Sequence, residues 1–565
     1  MSLRDETLKH TLKNALEHEG KASLNAVIGK LMALHSEDKK FVTKNIKEIA
    51  EIVREVNKLS LKEIMEKAGE FEGQFELKKR EQREGLPELE WAEKEKVVTR
   101  YAPNPNGPFH LGNARQIVLS HEYAKKYDGV FFLRFDDTDP KVKKPIENAE
   151  EIFLEDLEWL DCKPDKTFFA SDRLDIYYDF MKKLIDKNKI YSCDCKSESW
   201  RKLIKQKKGC KCRGKRKDFH LKVFKQMLAN ELKEGSIVLR LKTDLKAKDP
   251  ALRDWWVAKI VNKPLHPRVK DKFVWPSYNF QSAIDDHELK VSLIIRGQEH
   301  FQNTEKQKFL YKYFDWVYPH AIHTGRIKFS EGLIFSTSEA KKGIDEGKYT
   351  GWDDVRLGTI RALRRRGFQA KALRKALLDL GINTNDAGLD LKRIIDYNKQ
   401  LLLPTIKVLP FLREGMKLQV LQAVQINARV PVYFNNEAKD AYETDLKAGI
   451  QDFLVDKKAV KEFKVNDSIR LKQAYNIRIK SLNEFDALTD FIGLQKVGFP
   501  TLQWIKFGNE IDVEVLMPDN QKVNGLTSKN IFDLSVGDEV LFERFGIVRI
   551  EEKKEGKIVS IFTHE

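Results

Sequence analysis

The stretch from Ala102 to Arg115, APNPNGPFHLGNAR, restricts the fold more than any other part of the sequence. Pro103, Pro105 and Pro108 lack backbone donors and fix φ, so neither a central strand nor a helix interior runs through them. Upstream, KVVTRYA is a short run of strand type. Downstream, ARQIVLSHEYAKKY carries apolar residues at helical spacing. The chain therefore turns from a strand into a helix, and His110 stands where the helix begins. Backbone N–H groups are unpaired there and the helix dipole is positive, so the turn favours an anion. Gly107 and Gly112 remove side chains where a ligand would approach the backbone. GVFFLRFDD and VSLIIRG are apolar runs ending in polar residues, as buried parallel strands are. Together these segments predict an α/β domain.

The rest of the chain falls into distinct patterns. A length of 565 residues suggests roughly three to five domains. Residues 1–88 are nearly free of Pro and read as charged amphipathic helices, an appended helical module. Residues 89–330 carry the α/β pattern, interrupted at 188–265 by a Lys-rich, Cys-bearing insertion. Residues 331–400 return to helix, in VRLGTIRALRRRGF and KALRKALLDLGI. From 401 to 565 short alternating segments separated by turn residues predict β-barrels. Lys and Arg number 102 against 86 Asp and Glu, a net charge of +16. That excess fits a nucleic-acid binder, and the abundance of both signs equally fits a charge-rich protein from a hot habitat. The N-terminal MSLRDETLKHTLKNALEHEGK has no apolar core of the signal-peptide kind. No run of 18 apolar residues occurs, so no membrane span is expected. Only five Cys occur, four of them clustered, which excludes a distributed disulfide framework. A cytoplasmic location is expected.

Several short segments carry chemistry. FFLRFDDTDP ends an apolar run in Asp136, Asp137 and Asp139, like charges that repel unless a cation or ligand offsets them; an acidic turn before Pro is the alternative reading. In WPSYNFQSAIDDHELKVSLIIRGQEH, Arg296 ends an apolar strand. A guanidinium there pairs bidentately with a ligand carboxylate, or forms a surface salt bridge to Glu299. Cys193 and Cys195, then Cys210 and Cys212, form two C-x-C pairs, which read as a tetrahedral structural zinc site or as reduced thiols. Cys162 lies apart and reads as a buried thiol. The arginines of IRALRRRGF line a phosphate backbone or form a solvated face.

Taken in order over 89–565, these motifs resemble the class I aminoacyl-tRNA synthetases of the glutamyl/glutaminyl subgroup. His110-Leu111-Gly112-Asn113 is similar to the HIGH signature, with Asn113 in place of its second His. The resemblance implies a multidomain fold: an N-terminal α-helical module, a Rossmann-like catalytic domain with a zinc-bearing insertion that approaches the tRNA acceptor end, a helical stem-contact region, and C-terminal anticodon-binding β-barrels. Barrels, in place of a helical anticodon domain, point to the archaeal/eukaryotic type. The resemblance implies that Pro103, Asn104, Gly107, His110, Gly112 and Asn113 hold ATP, which arrives with Mg²⁺. Arg100, Asp136, Tyr278 and Arg296 match the positions that hold the amino acid, and two arginines suit L-glutamate. Phe335-Ser336-Thr337-Ser338 falls where the KMSKS signature belongs, and Thr337 replaces its usual lysine. Ser336 and Ser338 are then further ATP contacts. Lys341 or Lys342, on a loop hinged at Gly332 and Gly343, would supply the catalytic charge or be solvated surface charge. Arg364, Arg365 and Arg366 would contact tRNA. Cys193, Cys195, Cys210 and Cys212 would hold structural Zn²⁺. The implied partners are tRNA(Glu), with tRNA(Gln) as a second acceptor, for an enzyme working as a monomer. Glutamine ligation, a nucleotidyltransferase without tRNA, and a catalytically silent tRNA-binding scaffold are the alternatives.

Overall fold

The computed structural model describes residues 3–17, 20–35, 39–71, 85–329, 333–434 and 440–565. Gly332 lies outside the described residues. The chain forms two compact units, Met1–Glu84 and Gly85–Glu565. Among the described residues the first unit is helical: α1 (Leu3–Glu17), α2 (Leu24–Leu34), α3 (Lys39–Lys44), α4 (Ile46–Val56) and α5 (Leu61–Gly69). Ile49, Ile52, Val53 and Val56 recur at three- and four-residue spacing, so α4 buries one face. That face joins Leu12, Val27, Leu31 and Ile64 in one core. A reciprocal Ser60–Glu63 capping box starts α5.

The second unit opens with β1 (Val98–Tyr101), α6 (Leu111–Lys126), β2 (Val130–Phe135), α7 (Ala149–Trp159), β3 (Lys166–Phe169) and α8 (Leu174–Asp186). An antiparallel insertion follows: β4 (Ile190–Cys193), α9 (Ser197–Lys205), α10 (Lys217–Leu228), β5 (Val238–Leu241), β6 (Trp256–Ile260) and β7 (Val274–Pro276). Then α11 (Tyr278–Glu288), β8 (Leu293–Gly297), α12 (Phe301–Phe314) and β9 (His320–Thr324) return to the first sheet. That sheet is parallel, in the order β3-β2-β1-β8-β9. Every residue of β1 and of β8 is buried, as strands covered on both faces must be. The chain leaves β1 toward β2, and β8 joins on the other side. A crevice therefore opens beyond the carboxyl ends of β1, β2 and β8, where doubly wound sheets bind ligands. Leu86, Leu89 and Trp91 pack with Val97, Tyr123 and Leu293 under this sheet.

Further helices are α13 (Thr337–Asp345), α14 (Ile360–Arg365), α15 (Ala370–Asp379) and α16 (Leu391–Leu402). Beyond them, among the described residues, lie a six-stranded and a seven-stranded sheet. In Gly415–Ala423, Met416, Leu418 and Val420 are buried at every second position, the period a half-exposed strand requires. Among the described residues no helix is long and apolar enough to cross a membrane.

Candidate active site

The turn after β1 is held from three sides. Asp136 donates its N–H to Pro103 O at 2.8 Å, and Asn104 Nδ2 donates to Asp136 O at 3.0 Å, which ties the turn to the end of β2. Leu111 N–H donates to Gly358 O at 3.0 Å and Ile360 N–H to Phe109 O at 3.2 Å, which ties it to the start of α14. His110 is the N-cap of α6, and its Nδ1 accepts the Gly112 N–H at 3.1 Å. Burial lowers the His110 pKa to about 4. The ring is therefore neutral at pH 7, and with Nδ1 accepting, its proton resides on Nε2 as a donor. Two glycines mark close approaches. A Cβ on Gly112 would lie 2.9 Å from the His110 ring, and one on Gly107 would lie 2.5 Å from Thr337 Cγ2 and 2.9 Å from Trp352 Cη2.

Beside this turn is a cavity of about 630 Å³, within the usual ~300–1,000 Å³ range of small-molecule sites. Pro103, Asn104, Gly107, Gly112, Asn113 and Thr337 line one part. Arg100, Asp136, Tyr278 and Arg296 line another. His110 is not among the lining residues and meets the cavity only through Gly112, whose N–H it accepts.

A buried network of ions underlies the second part. Asp286 accepts from Arg100 Nε at 3.0 Å and from Arg134 Nη1 at 2.7 Å. Asp136 accepts from Arg134 Nε at 2.8 Å and from Gln281 Nε2 at 2.9 Å. Asp285 accepts from Arg173 Nε at 2.7 Å and from the Tyr177 hydroxyl at 2.5 Å. Arg100, Arg134 and Arg173 thus face Asp136, Asp285 and Asp286, equal numbers of each charge. Burial pushes the Asp136 carboxyl up to about 6, against the pull of Arg134. Burial also opposes ionisation of Asp286, but Arg100 and Arg134 outweigh it and hold that carboxyl below its ordinary range.

Arg296 differs from these arginines. Its Nη2 donates to neutral groups: the Thr304 hydroxyl, Gln307 Oε1 at 3.1 Å and the Tyr318 hydroxyl at 2.9 Å. Among the described residues its Nε and Nη1 are buried without a partner. A buried, always-ionised guanidinium with two unsatisfied donors on a cavity wall calls for an anion.

A model of the class I tRNA synthetases for E and Q, catalytic domain, matches residues 96–403. The chain belongs to this family. It is 41% identical over 577 residues to the glutamate–tRNA ligase of Pyrococcus furiosus, covering all of both chains. It is 41% identical over 572 residues to that of Thermococcus kodakarensis and 37% identical over 563 residues to that of Archaeoglobus fulgidus, again covering all of each.

In this synthetase the catalytic-site expectations separate into two groups. Arg100, Asp136, Tyr278 and Arg296 come together at the cavity, as do Pro103, Asn104, Gly107, Gly112 and Asn113. Lys341 and Lys342 do not. Both are exposed on α13, and Lys342 Nζ lies 3.7 Å from Glu346. Ser336 spends its hydroxyl as the N-cap of α13, and Ser338 is exposed outside the cavity. Among the described residues the lysines that line the cavity are Lys143 and Lys259.

The arginines of α14 are paired. Arg364 Nη1 is 2.9 Å from Glu155, and Arg365 Nε is 2.9 Å from Glu551. Arg366, only 3% exposed, donates to Thr563 O at 3.3 Å, and burial lowers its pKa to about 10. The expectation of a phosphate contact from Arg366 therefore meets a side chain enclosed between α14 and the last strand, out of reach of a surface ligand.

The four sulfurs of Cys193, Cys195, Cys210 and Cys212 lie within 4.8 Å of one another. The separations Cys193–Cys210 and Cys195–Cys212 are 3.8 and 3.6 Å. Four ~2.3 Å bonds to a tetrahedral zinc place sulfurs about 3.8 Å apart, so the donor set fits that ion. The hydrogen bond between Cys193 and Cys210 lowers the Cys210 pKa and raises that of Cys193, so Cys210 is the readier thiolate of the pair, while burial pushes Cys212 up to about 12. Cys162 is buried, with Arg374 Nη1 2.8 Å from its sulfur.

Sequence reasoning passed over Arg134, Asp285, Asp286 and Gln281, although all four stand inside the segments it singled out. The Asp doublet in QSAIDDHE, with Gln281 four residues before Asp285 on α11, was the available signal.

Proposed function

We propose that this chain ligates L-glutamate to tRNA in two steps. The observation that carries this reading is Arg296, a buried cavity-wall cation that, among the described residues, has two donors without a partner and no carboxylate beside it. A substrate carboxylate supplies the missing charge, and Asp136, ionised, receives the substrate ammonium. In the first step an oxygen of the glutamate α-carboxylate attacks the α-phosphorus of ATP, and the bond to pyrophosphate breaks. In the second, a terminal ribose hydroxyl of tRNA attacks the glutamyl carbonyl carbon, AMP leaves, and the hydroxyl proton is released. Such chemistry requires positioning and charge stabilisation more than covalent help. Asn104 and Asn113 on the cavity wall and the positive end of the α6 dipole receive the nucleotide, and His110, through its bond to the Gly112 N–H, holds that helix start in place. Mg²⁺ bound with ATP offsets the charge of the phosphates.

Cys193, Cys195, Cys210 and Cys212 would hold a structural zinc. Four thiolates close its coordination sphere, so it shapes the insertion that meets the tRNA acceptor end. The chain acts as a monomer in the cytoplasm, and tRNA(Gln) is a second acceptor beside tRNA(Glu). The test is exchange of labelled pyrophosphate into ATP. Exchange that requires glutamate and is strongest with tRNA present is expected. Tight tRNA binding with no exchange under any condition means that the chain is a scaffold.

A further inference from the structure

Arg296 is held by one nitrogen. Thr304 and Gln307 lie three residues apart on α12 and present one face to the end of β8. Tyr318 follows that helix in the loop before β9. All three surround Arg296 Nη2 and share its two N–H groups. Guanidinium nitrogens only donate, so Gln307 must turn its carbonyl oxygen toward Arg296. The Tyr318 hydroxyl accepts from Arg296 and passes its own proton to Gln307 Oε1 at 2.7 Å. Thr304 Oγ1 is fixed in turn by His323 Nε2 at 2.9 Å. Thr304 and Gln307 are buried. The four groups form a directed relay that occupies Nη2 and leaves Nε and Nη1 unpartnered among the described residues.

None of the relay groups carries a negative charge. This sets Arg296 apart from Arg100, which Asp286 already neutralises at the same cavity. A carboxylate in the relay would satisfy Nη2 equally well by geometry, yet it would cancel the charge that draws a substrate carboxylate. A neutral amide anchors without cancelling.

Building on the reading above, we propose that Thr304, Gln307 and Tyr318 are positioning residues that set selection of a carboxylate over an amide side chain by orienting Arg296 while leaving its charge uncompensated. The relay touches no substrate and acts only through Arg296.

The test compares Gln307→Glu, Gln307→Met and Tyr318→Phe with the parent in steady-state charging, measuring KM for glutamate, glutamine and ATP separately, together with Tm. Gln307→Glu keeps the shape and adds the charge. It lowers the glutamate-to-glutamine ratio of kcat/KM by about ten-fold or more, through KM for glutamate, with KM for ATP and Tm unchanged. Gln307→Met loosens the guanidinium but keeps its charge, so KM for glutamate rises while the preference over glutamine is better kept than in Gln307→Glu. Tyr318→Phe, the variant to rely on if Gln307→Glu fails to fold, raises KM for glutamate and leaves KM for ATP alone. A ratio unchanged within about two-fold in Gln307→Glu, or equal losses for glutamate and ATP with a lowered Tm, overturns the proposal. A parent enzyme that prefers glutamine contradicts the functional reading itself, whereas a parent that prefers glutamate with unaffected variants contradicts only the relay.

Discussion

Asp286→Asn probes the balance of the buried ions. Asp286 receives a charge-assisted bond from Arg134 at 2.7 Å and two from Arg100 at 3.0 and 3.4 Å. Asn keeps the volume but removes one negative charge and turns an NH₂ group or a neutral oxygen toward two guanidinium groups. Three arginines then face two aspartates in a largely buried region. Removing one partner of a buried pair costs about 3–5 kcal/mol, because the uncompensated charge stays behind. With an unfolding entropy of about 2.1 cal/mol/K per residue over the 96–403 segment, that cost lowers Tm by roughly 5–8 °C. Differential scanning calorimetry of parent and variant reads this directly. Adding Arg100→Gln to Asp286→Asn leaves Arg134 and Arg173 facing Asp136 and Asp285, again in balance. The double variant should therefore be more stable than the sum of the single losses predicts, with a coupling of about 0.5–3 kcal/mol. A fall in Tm below about 2 °C for Asp286→Asn, or strict additivity in the double variant, refutes the argument from charge balance.

Other consequences follow from the same geometry. The Asp136 pKa is raised to about 6, so the native chain binds more protons than the unfolded one between the ordinary carboxyl range and pH 6. The stability contributed by this group is complete below that range and is lost as pH rises through 6, whereas binding of the substrate ammonium needs the ionised form. A plot of kcat/KM for glutamate against pH should fall on the acid side near pH 6, and Asp136→Asn should abolish that limb along with most activity. Gly107→Ala places a methyl 2.5 Å from Thr337 Cγ2, which costs ~1–3 kcal/mol and shifts the turn against α13; KM for ATP should rise more than KM for glutamate. Metal analysis of the purified protein should give one zinc per chain, lost in Cys210→Ser together with a lowered Tm.

The turn from β1 into α6 was legible because its determinants are local. Pro103, Pro105 and Pro108 end a strand, and a helical pattern begins directly afterward. The barrels were legible for a similar reason, as in the alternation of Met416, Leu418 and Val420. The ion network was not, because its partners are remote in sequence: Arg134 meets Asp286 only after the whole insertion has been folded out between them. The α14 arginines depend on equally remote partners. Tertiary structure brings Glu155 to a still partly exposed Arg364 and Glu551 to Arg365, and covers Arg366 with the last strand. Lys341 and Lys342 follow Thr337 closely in sequence. Whether such residues face the cavity depends on the direction of α13, which composition does not encode.

The measurement that tests the central claim most directly is aminoacylation with labelled glutamate and labelled glutamine in parallel, on purified tRNA(Glu) and tRNA(Gln) separately. An enzyme whose cavity offers Arg296 to a carboxylate attaches glutamate to tRNA(Glu), and in its relaxed form to tRNA(Gln) as well, and attaches glutamine to neither. Glutamine carried onto tRNA(Gln) would contradict the account, because an amide side chain leaves the Arg296 charge unanswered.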